Sequence, residues 1–147
     1  VFEVQLKMSF DTSPVLQAWR SRGRRVTAAR RAVLEGLCRA GCAADVRTVY
    51  RLAKRVHPRL GLVTVYRTLD LLAREGWVQR WEEGGVVRYE LDQPHHHHLV
   101  CLGCGQVRRW DRCPVPVESG ATVGGFLVTG HRLELLGYCP TCREVMR

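Results

Sequence analysis

The chain has 147 residues, 46% of them apolar, which allows one ordinary domain or two small ones whose thin cores call for a metal or a second subunit. No run of about 18 uncharged apolar residues is present, and the first residues, with Glu3 and Lys7 among the apolar ones, lack the pattern of a secretory signal. The net charge of +9 is uneven, since residues 1–93 hold 17 Lys and Arg against 10 Asp and Glu, while residues 94–147 hold 6 against 4.

These numbers predict a soluble, cytoplasmic protein without a membrane partner, with Met8 as its natural start and its first half as the candidate for nucleic acid. Of the 23 cations 21 are arginine, whose planar fork suits phosphate and guanine better than a lysine point charge does. Seven cysteines in a reducing compartment point to metal or redox chemistry more than to disulfides.

The first half reads as helices. Thr27 caps a helix to about Ala40, with Val33, Leu34 and Leu37 on one side and Gly41 ending it. A second helix fits Asp45 to Val56 and stops before His57-Pro58, because the residue preceding proline avoids helical geometry. Between Gly61 and Gly76 a third helix buries Val65, Leu69 and Leu72, leaving Arg67, Asp70 and Arg74 on the opposite face. Trp77 to Trp81, the Glu82-Glu-Gly-Gly85 turn and Val86 to Glu90 then read as a hairpin. Helices followed by a small hairpin make a winged helix, which sets its last helix in the major groove and its wing along the backbone.

Asp92-Gln93-Pro94 reads as a hinge. Beyond it Leu99–Cys101, Val107–Trp110 and Phe126–Leu136 are expected strands, with a short helix around Val117 to Val123. Three strands and one helix cannot cover both faces of a sheet, so a second copy is the expected cover. The fold class is therefore α+β: a winged-helix DNA-binding domain over 9–91, a hinge over 92–94, and a small α/β dimerisation and metal-binding domain over 95–147.

Cys101-Leu-Gly-Cys104 and Cys139-Pro-Thr-Cys142 are two CxxC knuckles 34 residues apart. Together they supply four thiolates for a tetrahedral Zn2+, a closed shell that is structural and whose binding energy is folding energy. Cys38, Cys42 and Cys113 are left over, the first two read as small core residues. On an extended strand alternate residues share a face, so His95-His-His-His98 can feed two sites. His96 and His98 point one way, across the hinge from Glu90, and a metal held by all three would clamp the two halves. Histidine with carboxylate suits Fe2+, Mn2+ or Zn2+ rather than Ca2+ or Mg2+. His95 and His97 point the other way, where His131 could join them as a ligand or stand as a buried, hydrogen-bonded histidine. Glu118 is the nearest carboxylate to complete that set.

Four stretches in this order carry a resemblance: Gly23-Arg-Arg-Val-Thr27, Thr64-Val-Tyr-Arg-Thr-Leu69, His95-His-His-His-Leu-Val-Cys-Leu-Gly-Cys104 and His131-Arg-Leu-Glu-Leu-Leu-Gly-Tyr-Cys139. They resemble the ferric uptake regulator superfamily from about Arg20 to Cys142. The resemblance implies a homodimeric, metal-dependent repressor of metal-uptake genes that binds inverted-repeat operators in double-stranded DNA. It implies base reading by Tyr66 and Arg67 in the helix that Thr64 opens, and minor-groove entry by Arg25. The four cysteines match the structural zinc site, and Glu90, His96 and His98 the regulatory site. His95, His97 and His131, with Glu118 as an approximate match, correspond to an additional site in the dimerisation domain.

Two positions depart from the family pattern. A regulatory histidine is replaced by Ala43, beside Cys42, and a carboxylate after the first knuckle is replaced by Arg109. Gln79, Glu82, Glu83, Asp111, Cys42 or water is then left to complete the regulatory shell. The alternatives to a metal sensor are a DNA-binding protein with zinc for folding only, and a zinc enzyme, for which no HExxH or HxE…PCxxC pattern is present.

Overall fold

The computed structural model describes residues 10–146, so the expectation for Met8 and the first residue of the 9–91 domain lie outside the described residues. The chain divides into two compact units, 1–92 and 93–147.

In the first unit α1 (Ser13–Ser21) was not anticipated from the sequence. Its Val15 and Trp19, one turn apart, are both fully buried. Trp19 Nε1 donates to Glu75 Oε2 at 2.9 Å, and Glu75 also meets Arg24 Nε at 2.9 Å and Arg22 at 3.3 Å. One carboxylate thus fastens α1 and the turn after it to the end of α4 (Leu62–Arg74).

Helix α2 (Ala28–Ala40) begins where Thr27 Oγ1 accepts from the Arg30 amide at 3.2 Å and ends at Gly41, whose φ of 70° is left-handed. A short strand β1 (Ala44–Asp45) follows, and the Asp45 side chain caps α3 (Val46–Lys54) by accepting from the Thr48 amide at 2.7 Å. Helix α4 (Leu62–Arg74) buries Val65, Leu69 and Leu72 against the core formed with α2 and α3, while Tyr66, Arg67, Asp70 and Arg74 stay exposed.

Strands β2 (Val78–Glu83) and β3 (Val86–Leu91) pair antiparallel from Val78–Leu91 to Glu83–Val86. The two-residue Gly84-Gly85 link has φ of 57° and 77°, the geometry a tight hairpin needs and only glycine adopts freely. With β1 on the other side of β3, the sheet has the order β1-β3-β2.

In the second unit β4 (His97–Cys101) lies between antiparallel β5 (Val107–Trp110) and parallel β8 (Glu134–Gly137). The helix expected around 117–123 is absent, replaced by a turn and a two-residue ribbon, β6 (Thr122–Val123) with β7 (Phe126–Leu127). Gly120, Gly124 and Gly125, with φ of 94°, 55° and 84°, explain the correction, since they adopt a left-handed backbone that a helix does not use. The strand expected over 126–136 is interrupted over 128–133, leaving β7 and β8. A six-residue helix, α5 (Pro140–Val145), opens on the second knuckle.

Burial differs between the units. The apolar core is confined to the first, whereas among the described residues of the second only His97, His98 and Cys101 are buried. Each of these three carries a metal-ligating side chain. No helix among the described residues is long and apolar enough to cross a membrane.

Candidate metal centres and nucleic-acid face

The two knuckles meet. Cys101 ends β4, Cys104 closes the turn into β5, Cys139 follows β8, and Cys142 lies in α5. All four sulfurs lie within 4.8 Å of one another, with Cys104 and Cys139 at 3.8 Å. A tetrahedron with Zn–S near about 2.3 Å has sulfurs about 3.8 Å apart, so the four thiols fit zinc with small inward shifts. Backbone amides of Cys139 and then Cys104 pull the Cys101 thiol down to about 6, while hydrogen bonds with the Cys139 and Cys101 sulfurs push Cys142 up to about 12. Four sulfurs without a cation cannot share the charge, and a divalent ion resolves that conflict. Gly103 belongs to the same site: a Cβ there would sit 2.9 Å from Cys142 Sγ and 3.0 Å from its Cβ, wedging the knuckles apart. The CxxC spacing alone gave no reason to single out this glycine.

Along β4 the histidines alternate. His96 and His98 form one pair, with ring centroids 5.0 Å apart and edge to face, and His98 Nδ1 faces Glu134 Oε1 at 3.9 Å. In the first unit Glu90, in the last turn of the hairpin strand β3, is the one buried acid among the described residues. Cys42 lies just after α2, with its sulfur within 4.8 Å of a Glu90 oxygen. Of the residues left to complete a shell, Asp111 is paired with Arg109, and Glu82 and Glu83 sit at the exposed hairpin tip. Gln79 is the cross-strand neighbour of Glu90 and donates to Asp92 at 3.5 Å.

His95 and His97 form the other pair, at 4.6 Å, and His131 completes a triangle at 4.6 Å from His95 and 5.2 Å from His97. The fourth member of this group is Cys113, not Glu118. Cys113 Sγ lies 3.1 Å from His131 Nε2, whereas Glu118 sits in an exposed turn where its carbonyl accepts from Ala121. Burial first, then the neighbouring imidazoles of His95 and His131, holds His97 below the usual imidazole value.

On the first unit Tyr66 and Arg67 are exposed one turn into α4, and Thr64 is half-buried at its start. Thr64 contributes its carbonyl to Thr68 Oγ1 at 2.7 Å, an internal bond of the helix. Arg25 is exposed in the segment before α2, where its carbonyl accepts from the Arg30 guanidinium at 2.7 Å.

The model of the Ferric uptake regulator family matches residues 21–136. The ferric uptake regulation protein of Yersinia pestis is 36% identical over 135 residues, 87% of this chain and 91% of that protein. Among solved structures, the ferric uptake regulator of Vibrio cholerae is 32% identical with a TM-score of 0.64, over 84% of this chain and 98% of that one. A zinc-bound manganese uptake regulator is 29% identical with a TM-score of 0.67, over 85% and 98%.

Proposed function

The chain belongs to the ferric uptake regulator family and is a metal-responsive transcriptional repressor, and on that premise we propose how its residues carry out the task. The first unit is a winged-helix reader of double-stranded DNA: α4 enters the major groove with Tyr66 and Arg67 toward the bases, Thr64 lies at its mouth, and Arg25 reaches the minor groove. The excess of arginine in residues 1–93 supplies the phosphate neutralisation on which affinity depends.

The second unit is the dimerisation domain. Its exposed Leu99, Leu135, Leu136 and Phe126 support a second copy of the chain as their cover. The closed Cys101, Cys104, Cys139 and Cys142 shell holds structural Zn2+ and leaves no position for a reacting water. Members of this family are regulators rather than enzymes, and a regulator that reads DNA works in the cytoplasm.

The corepressor is a divalent ion, Fe2+, Mn2+ or Zn2+, held by Glu90, His96 and His98, with Cys42 standing in for the family histidine replaced by Ala43. One observation carries this reading: among the described residues the single buried acid of the first unit lies one residue from the end of the hairpin strand β3, and a buried histidine of the second unit follows it by eight positions. A thiol in the set moves it toward Zn2+ and away from Mn2+. Metal bound there fixes the paired readers at the separation of an inverted-repeat operator, and its loss releases them. The coupling this requires is on the order of 1 to 3 kcal/mol. A zinc protein without sensing is not favoured, because it gives Glu90 and His98 no task.

Gel-shift titration of zinc-loaded dimer against a palindromic operator, with and without Fe2+, Mn2+ and Zn2+, tests the proposal. Metal should raise affinity roughly 5- to 150-fold, and Glu90→Ala should abolish the increase. Equal affinity under every metal condition would overturn it.

A further inference from the structure

We infer that Glu75 is a positioning residue for DNA reading: its carboxylate fixes the backbone that carries Arg25, so that the minor-groove contact falls at a set offset from the bases read by α4. The inference rests on the proposed roles of Arg25 and Arg67, and gives a task to a residue outside both the reading face and the metal sites.

Glu75 stands in an unfavourable place for a carboxylate. It follows directly on α4, where the helix dipole presents its negative end, and its side chain is only 7% exposed. A buried charge at that end needs compensation. Trp19 Nε1 supplies part of it by donating to Oε2 at 2.9 Å, and two guanidiniums meet Oε1, that of Arg24 at 2.9 Å and that of Arg22 at 3.3 Å. The indole alone would dock α1 on α4. The arginines add little to folding, because their side chains are 42% and 54% exposed and ion pairs open to water are weak. What they add is direction, since they lead into Arg25.

The backbone along that path is held at each step. The amides of Arg22, Gly23 and Arg24 donate to the carbonyls of Ala18, Arg20 and Trp19 at 3.1, 3.0 and 2.8 Å, and Gly23 makes the reversal with φ of 68°. Beyond Arg25 the hold comes from α2. Arg30 Nη1 donates to the Arg25 carbonyl at 2.7 Å, while the same guanidinium lies 5.6 Å from the centre of the Trp19 ring. Trp19, itself fully buried, is thus gripped at its nitrogen by Glu75 and covered on its face by Arg30, and the chain before and after Arg25 is tied to it. The Arg25 side chain stays exposed. On a loose loop it would lose backbone freedom on entering a groove, whereas here folding has already removed that freedom. Because Glu75 also ends the segment that carries Tyr66 and Arg67, one carboxylate keeps the two contacts in register on one duplex.

The test uses full-length dimer loaded with zinc and the metal that gel-shift titration identifies, and a palindromic duplex that the parent protein selects from random sequence. Base pairs are substituted one at a time and affinity is read by fluorescence anisotropy. Pairs whose substitution weakens binding by the parent but not by Arg25→Ala mark the arm position, and those that Arg67→Ala ignores mark the helix position. The parent should discriminate by about 5-fold or more at each. Glu75→Gln, which keeps an oxygen for Trp19, should lose most discrimination at the arm position and keep it at the helix position, and adding Arg25→Ala to it should cost nothing further there. Arg24→Gln alters an exposed side chain, leaves the Trp19 bond in place and should give the same selective loss, so it decides the matter if the Glu75 variant does not fold. Full discrimination at the arm position in these variants overturns the inference, and so does equal loss at both positions, the mark of a general weakening of the fold. Failure to find any arm position removes the Arg25 reading, and this inference with it, which keeps the two failures apart.

Discussion

Arg67 stands on the exposed face of α4 beside Tyr66, one turn in from the helix start, and touches no part of the core. If its guanidinium reads a guanine edge, Arg67→Ala costs about 1–3 kcal/mol of operator binding. Fluorescence anisotropy should show operator affinity down by about 5- to 150-fold for that loss, with an unchanged thermal midpoint, because an exposed position contributes little to folding. Residue roles were unequally readable from the sequence. The four cysteines announced themselves by spacing, and the alternation of the histidines follows from the two-residue period of a strand. Tyr66 and Arg67 came from resemblance alone, since amphipathicity marks an exposed face and not what it touches. The place of Cys113 beside His131 was not legible because an irregular segment has no period from which its direction could be read, and Glu118 was named for being a carboxylate nearby in sequence.

Helix ends were predictable wherever a cap chemistry marked them: Thr27 and Gly41 bound α2, and Asp45 opens α3. α1 escaped because its start at Thr12 has no side-chain cap and its placement depends on a distant partner, Glu75. The crossing of α2 over α3 depends on Gly36, where a Cβ would lie 2.9 Å from the Val49 carbonyl oxygen and 3.1 Å from the Ala53 amide nitrogen and Cβ. Alanine gains about 1 kcal/mol of helix propensity over glycine, but here its methyl meets backbone, which cannot swing aside. Overpacking of this kind costs about 1–3 kcal/mol. Gly36→Ala should therefore lower the urea midpoint instead of raising it, as followed by far-ultraviolet circular dichroism. A higher midpoint would mean that the two helices can separate at little cost.

At the scale of the molecule the two units are held by different physics. The first buries Val15, Trp19, Val33, Leu34, Leu69 and Leu72 in an apolar core, while among the described residues of the second the buried ones are His97, His98 and Cys101. Both halves were foreseeable as an α+β arrangement, because helical and strand periods change over near residue 77 and the cysteine pairs lie only in the second half. The broken strand and missing helix of residues 111–133 were not, since the left-handed glycines at 120, 124 and 125 interrupt that stretch without any periodic signal. On this account Glu90 of the first unit and His96 and His98 of the second share the ion, and the first unit reads DNA, so occupancy and reading are coupled. Coupling between two equilibria is reciprocal. Isothermal titration of the corepressor metal into zinc-loaded dimer, once free and once saturated with operator, measures it directly. Operator should tighten metal binding by the same factor by which metal tightens operator binding, roughly 5- to 150-fold. Identical metal affinity in the two titrations would contradict the central claim that the ion selects the DNA-reading arrangement.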